Sequence, residues 1–185
     1  MAAPVIKQLM DATSVGRSVT RIAHEILERN DGPVNLALIG IITRGEPLAK
    51  RIKKLILDQS NEDIPIGLVD ITFHRDDFRE RLAVPQVKNT EIPFSLDNKT
   101  IVLVDDVLFT GRTIRAAIEV LLSFGRPAKI QLAVLVDRGH REMPIRADFV
   151  GKNIPTHGGE HVKVFLKEID GKDAVQLIYS DGDME

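Results

Sequence analysis

The run IVLVDDVLFTGRT, Ile101 to Thr113, constrains this chain more than any other segment. Its aliphatic start, Ile101 to Val104, suits a strand covered on both faces, as parallel sheets provide. Two adjacent acids, Asp105 and Asp106, then stand where such a strand emerges at the carboxyl edge of its sheet. Thr110, Gly111, Arg112 and Thr113 follow and open an amphipathic helix that Gly125 ends. A helix start offers free backbone N–H groups and the positive end of a dipole, which together favour a phosphate. The hydroxyls of Thr110 and Thr113 add donors, and Gly111 lets the backbone approach an anion closely. Carboxylates able to accept hydrogen bonds from vicinal sugar hydroxyls thus stand beside a phosphate cradle, and a sugar phosphate is the natural guest. Neither the G-x-x-x-x-G-K-[ST] loop nor the G-x-G-x-x-G fingerprint of nucleotide-binding folds is present.

The rest of the chain supplies matching elements. Val15, Val19, Ile22, Ala23, Ile26 and Leu27 recur at helical spacing and predict a helix over 11–30, with Asp11, Thr13 or Ser14 as its cap and Gly32 as its stop. Val34 to Ile41 and Ile66 to Phe73 read as buried strands, separated by a helix from about Glu46 to Asp58. A further strand is expected over 129–136, directly after the helix that Gly125 ends. Between Phe73 and Asn98 the sequence mixes charge and proline without periodicity, which marks a long flexible loop and a candidate cover for a site. Two β-rich runs around the GKD turn near the carboxyl terminus predict a hairpin that either extends the sheet or covers the site. The expected fold is α/β: a doubly wound, mainly parallel sheet flanked by helices, whose ligands bind at the carboxyl ends of the strands. With 185 residues and no linker or repeat, the whole of 1–185 is expected to form a single domain.

Composition excludes several classes. At 43% hydrophobic and 28% charged the chain can bury a core, yet no run approaches the roughly 18 apolar residues of a membrane span. Cysteine is absent, so neither a disulfide framework nor a thiolate metal site is available. The amino terminus, MAAPVIKQLMDATS, lacks a charged segment followed by a long apolar one, so no secretory signal is expected and the cytoplasm is the default location. A formal charge of −2 argues against a bulk polycation but leaves room for a local basic patch.

Hydrophobic strand, paired acids and Thr-Gly-x-Thr turn resemble the 5-phosphoribosyl-1-diphosphate (PRPP) motif of type I phosphoribosyltransferases. Further segments, TRIAHEILERN, GIITRGEPLA, RDD and above all IQLAVLVDRGHREMPIRADFVGKNIPT, resemble the PyrR family of bacterial pyrimidine operon regulators, which double as uracil phosphoribosyltransferases. The resemblance spans about residues 9 to 180. It implies the conversion of uracil and PRPP to UMP and pyrophosphate, with Arg44, Asp105 and Asp106 as the catalytic candidates. Asp105 and Asp106 would hold the ribose hydroxyls, and Thr110, Gly111, Arg112 and Thr113 the 5′-phosphate. Thr43, Arg44 and Gly45 match the family's pyrophosphate loop. Mg²⁺ would be bound largely through PRPP, with Asp105 and Asp106 nearby. Arg75, Asp76 and Asp77 begin the flexible loop, where His74 replaces a common tyrosine. A homodimer or higher homo-oligomer is expected.

For the base, purine-specific relatives carry an aspartate immediately before the Thr-Gly pair, where this chain has Phe109, whose ring cannot exchange a proton. Phe109, Asp137, Arg138 and the backbone near Ile154 are therefore the candidate uracil contacts. At 100° per residue, Arg17, Arg21 and His24 share one sector of the first helix, opposite Val15, Ile22 and Ile26. Taken alone that is a solvated face. The family resemblance makes it part of a surface for the messenger-RNA leader stem-loop of pyrimidine genes, through Arg17, Thr20, Arg21, His24, Arg29, His140, Arg146 and Lys152, with UMP as the sensed product. HGGEH, His157 to His161, lacks the H-E-x-x-H order and reads as a loop rather than a metal site. Two other readings stay open: a pyrimidine or purine salvage transferase without RNA binding, and a nucleotide-sensing RNA regulator with negligible turnover.

Overall fold

A computed structural model describes residues 5–71 and 90–179. In chain order its elements are β1 (Val5–Met10), α1 (Ala12–Arg29), β2 (Leu36–Ile41), α2 (Gly45–Ser60), β3 (Ile66–Val69), β4 (Thr100–Leu108), α3 (Arg112–Phe124), β5 (Lys129–Asp137), β6 (Phe149–Asn153), β7 (His161–Phe165), the short α4 (Lys167–Asp170) and β8 (Ala174–Tyr179). Five strands form a parallel sheet in the order β3-β2-β4-β5-β6. The central strands are apolar throughout because both faces are covered. Val102 and Val104 join Ile22, Ile26, Leu48, Ile52 and Ile56 of α1 and α2 in one core layer. Ile101 and Leu103 join Ile114, Ala117 and Leu121 of α3 in the other. This period of two along β4 divides an unbroken aliphatic run between two faces.

Local signals set the helix limits. Asp11 caps α1 by accepting the Ser14 N–H at 2.8 Å, a bond that lowers the pKa of its carboxyl. Asn61, in the left-handed region at φ 56°, ends α2 beyond the expected Asp58. No helix among the described residues is long and apolar enough to cross a membrane.

Three features depart from the sequence-based expectations. The carboxyl-terminal segment does not extend the main sheet. β7 and β8 pair antiparallel, β8 pairs with β1, and the three form a separate small sheet. Between β7 and β8 the residues Lys167–Asp170 form one helical turn in place of a simple hairpin loop. Neither β1 nor β6 has a strand signature of its own: β1 is mostly exposed, and β6 is a five-residue edge strand containing Gly151. Pairing with β8 and β5 makes them strands. The small sheet packs through Val164, Leu166 and Val175 into the core layer that holds α1 and α2. Of the expected long loop, the described end is anchored, because Leu68 and Glu91 exchange backbone hydrogen bonds at 2.7 and 2.9 Å and Leu96 is buried with α3.

Candidate active site

The carboxyl ends of β2, β4 and β5 lie side by side and bring three predicted segments together. Parallel pairing of β4 with β5 continues to Leu108 opposite Asp137, so Asp105 and Asp106 stand inside the strand and not beyond it, as the apolar run alone implied. Asp105 is buried at 7% exposure, and its Oδ1 accepts the Asp106 N–H at 2.9 Å. Asp106 Oδ1 accepts the Val107 N–H at 2.8 Å. Burial pushes the Asp106 carboxyl above the ordinary carboxylate range, against the opposing influence of the Asp105 hydrogen bond and the Arg44 charge. A buried acid next to another acid is costly without a guest, as expected of a site kept for binding.

Gly45 explains how the β2–α2 junction reaches these acids. A Cβ on Gly45 would lie 2.2 Å from the Val104 carbonyl oxygen and 3.4 Å from the Asp105 Cα. Only glycine permits that approach, which sets Thr43 and Arg44 at the mouth of the site. The Ile42–Thr43 peptide is cis, and Thr43 is exposed. Arg44 Nη2 donates to Asp170 Oδ1 at 3.0 Å, across to the small sheet, while its buried Nε has no partner.

The Thr110–Thr113 turn takes the predicted form. Gly111 has φ 91°, and a Cβ there would come within 3.0 Å of the Met143 Cβ. The Thr110 carbonyl accepts the Glu142 and Met143 N–H groups, and Thr110 Oγ1 accepts the Arg112 N–H at 3.3 Å. The segment after β5 thus roofs the turn. The Arg112 guanidinium bonds Glu142 through Nε at 2.6 Å, which directs it along the roof.

On the base side, the Arg138 guanidinium lies 4.0 Å from the centroid of the Phe109 ring. Arg138 Nε donates to Thr156 Oγ1 at 3.2 Å and Nη2 to the Glu160 carbonyl at 2.7 Å. Burial lowers the pKa of this guanidinium, partly offset by Glu160, though an arginine stays charged in a protein. His140 meets Phe109 edge-on at 6.1 Å. Its Nε2 lies 2.6 Å from the Thr156 carbonyl, which can only accept, so that nitrogen carries the proton. His140 is exposed, so this bond and the Phe109 contact fix its ring while leaving it on the surface. Asp137 does not face a base freely: it pairs with Arg141 and accepts the Gly139 N–H. At Ile154 the N–H donates to the Asp137 carbonyl at 2.8 Å and the side chain is buried in the core, so any base contact there falls to neighbouring backbone groups. Arg141, absent from the candidate residues, ties the Phe109, Gly139 and Ile145 carbonyls together. An arginine inside a glycine-bearing loop was its only sequence signal.

A family model described as the phosphoribosyl transferase domain matches residues 5–168. Bifunctional protein PyrR of Thermus aquaticus is 57% identical over 175 residues, covering 95% of this chain and 97% of that one. The PyrR of Deinococcus deserti is 57% identical over 91% of this chain and 92% of its own length. This chain belongs to the PyrR family. Solved structures carry the same fold at low identity. A hypoxanthine phosphoribosyltransferase of Staphylococcus aureus superposes with a TM-score of 0.68 at 19% identity, covering 95% and 93% of the two chains. That of Trypanosoma cruzi gives 0.70 at 18%, covering 95% and 92%.

Two groups of PyrR-family candidates remain to be placed. Arg75, Asp76 and Asp77 lie outside the described residues. The α1 face exists, as a shallow depression of about 670 Å³ lined by Gly16, Arg17, Thr20, Arg21 and His24, but Glu25 and Glu28 line it too, so its charge is mixed. Several of its cations already have partners. Arg21 Nη2 donates to the Val150 and Gly151 carbonyls at 3.1 and 2.5 Å on the outer edge of β6, and Nη1 to Glu25. Arg29 pairs with Asp148 at 3.3 Å, Lys152 Nζ donates to the Leu9 carbonyl, and Thr20 donates to the Gly16 carbonyl. Arg146 is exposed and follows Ile145, whose side chain lies beside Gly111. Arg17 and His24 are exposed.

Proposed function

We propose that this chain is a uracil phosphoribosyltransferase, forming UMP and pyrophosphate from uracil and PRPP, and that it also binds the leader RNA of pyrimidine genes in a UMP-dependent manner. One observation carries the catalytic reading: paired acids, a glycine-bearing anion turn and an arginine-stacked Phe109 converge at the carboxyl edge of one sheet. The name of the PyrR relatives, bifunctional protein, supports the second activity.

The chemistry follows from the placement. As the bond from ribose C1 to pyrophosphate weakens, positive charge grows on the sugar and negative charge on the leaving group. Asp105 and Asp106 hold the 2′- and 3′-hydroxyls and fix the ring, while the amides of the Thr110–Thr113 turn hold the 5′-phosphate. Arg44 stabilises the departing pyrophosphate. Phe109, backed by Arg138, forms an apolar wall for the pyrimidine, with no group there to protonate a purine N7. The donor set fits Mg²⁺: Asp105 and Asp106 are adjacent carboxylates at the sheet edge, hard oxygen donors that suit an ion which keeps waters and binds through substrate oxygens. Mg²⁺ bound with PRPP would supply charge neutralisation on the diphosphate. A single domain containing both sheets, assembled as a homo-oligomer, completes the reading.

The test is to incubate the purified protein with PRPP, Mg²⁺ and each nucleobase and to identify the nucleotide by chromatography. UMP is expected from uracil. IMP or GMP without UMP overturns the base assignment. Leader RNA affinity measured with and without UMP tests the regulatory half, and an affinity unmoved by UMP sinks it.

A further inference from the structure

Asp170, at the end of the helical turn between β7 and β8, reaches Arg44 of the pyrophosphate loop. We propose that Asp170 is a positioning residue for Arg44, so that the turn between β7 and β8 is part of the pyrophosphate-binding apparatus. The inference rests on the reading of Arg44 given above. Asp170 Oδ2 accepts the Leu166 N–H at 2.8 Å, and Oδ1 accepts Arg44 Nη2 at 3.0 Å. The backbone bond, ahead of the Arg44 charge, holds this carboxyl below the ordinary carboxylate range, so it stays ionised with one oxygen fixed.

The turn that carries Asp170 is itself immobilised. Arg51, seven residues after Arg44 and on the same side of α2, bonds both oxygens of Glu168 at 2.8 and 2.6 Å and both oxygens of Asp173 at 3.0 and 2.7 Å. Asp173 Oδ1 also accepts the Lys167 N–H at 2.8 Å. Arg51 therefore ties the β7–β8 turn to α2, in addition to the apolar packing of Val164, Leu166 and Val175. The Arg44–Asp170 pair, a single contact, adds little to that docking and has a different consequence: it gives a long, rotamer-rich side chain one direction. Held through Nη2, the guanidinium is fixed in direction at the end of the β2–α2 junction, with its Nε buried. The next residue, Gly45, packs directly against Val104 and Asp105, which sets the same charge close to the paired carboxylates.

A double-mutant cycle tests this. Asp170→Asn keeps an oxygen for the Leu166 N–H and removes only the charge. It is expected to raise the KM for PRPP and weaken inhibition by inorganic pyrophosphate about tenfold, leave the KM for uracil within about twofold, and be largely rescued in Asp170→Glu. In an Arg44→Ala background the same substitution should change the KM for PRPP less than about twofold. Additive effects in the two backgrounds, or an unchanged KM for PRPP, overturn the proposal. If Asp170→Asn does not fold, Asp170→Ser takes its place in the cycle. If the wild-type protein forms no UMP, the catalytic reading fails by itself. Calorimetric affinity for inorganic pyrophosphate with Mg²⁺ across the same variants then decides the role of Asp170: equal affinities refute it, and the non-additive pattern supports it.

Discussion

Gly45 sits so close to Val104 that an added Cβ would lie 2.2 Å from the Val104 carbonyl oxygen. The obstacle is backbone in a central strand, which cannot rotate away. Gly45→Ala must therefore push the start of α2 off β4 or distort the strand, and it is expected to cost about 1–3 kcal/mol, as overpacking does. Because the displaced strand carries Asp105 and Asp106, kcat/KM for PRPP should fall more than stability alone explains. Urea unfolding together with steady-state kinetics checks both, and a variant with unaltered unfolding would refute the close contact.

Asp106 links binding to pH-dependent stability. Burial raises its folded-state pKa above the ordinary value of 3.8, so folding favours its protonated form. That contribution is fully present below the unfolded pKa and is lost as pH rises through the folded one. Asp106→Asn, which never ionises, should be more stable than the wild type at neutral pH. The difference should shrink and then level off as pH falls into the ordinary carboxylate range. Activity should drop about a hundredfold, as when an electrostatic partner of a reacting group is removed. Denaturation midpoints of both proteins across pH 3 to 8 show whether the two curves converge, and parallel curves would contradict the raised pKa.

Arg138→Lys separates shape from charge in the base wall. Lysine keeps the charge but loses the planar face 4.0 Å from Phe109 and cannot bond Thr156 and Glu160 together. The expected result is a KM for uracil raised about tenfold, consistent with a partly buried cation–π contact of about 1–2 kcal/mol. The KM for PRPP should change little. An equal rise in both would show that Arg138 supports the site as a whole and not the base.

Arg17 and Arg21 neighbour each other on α1 but should respond differently to removal. Arg21 bonds the exposed carbonyl edge of β6, so Arg21→Ala is expected to destabilise the fold by about 1 kcal/mol. Arg17→Ala should leave stability alone and reduce the salt dependence of leader RNA binding by about one counterion. Thermal melts and titrations at several salt concentrations distinguish them. Identical melts for the two variants would show that the β6 contact is weak in solution.

Much of the main sheet is legible in the sequence because each element signals itself locally. Asp11 and Gly32 bracket α1, and the aliphatic runs of β2 and β4 reflect cover on both faces. The anion turn is equally plain, since Gly111 and its threonines are contiguous. The base wall is only half legible: Phe109 and Arg138 are visible as candidates, but their stacking depends on the course of the loop after β5. The use of the Ile154 N–H in pairing with Asp137 is likewise visible only in the folded chain.

By itself, then, the sequence determined which residues could make strands, helices and an anion-binding turn, because those depend on periodicity and on neighbours a few residues away. Tertiary structure alone decided which charges remain available. Arg44 and Asp170 are 126 residues apart, and Arg21 and Gly151 are 130 apart, yet each pair is joined by a hydrogen bond. No local pattern encodes such pairings, since they arise only when two sheets and the helices between them pack around a shared core. The same packing gave β1 its partner and set the turn of the expected hairpin against Arg44.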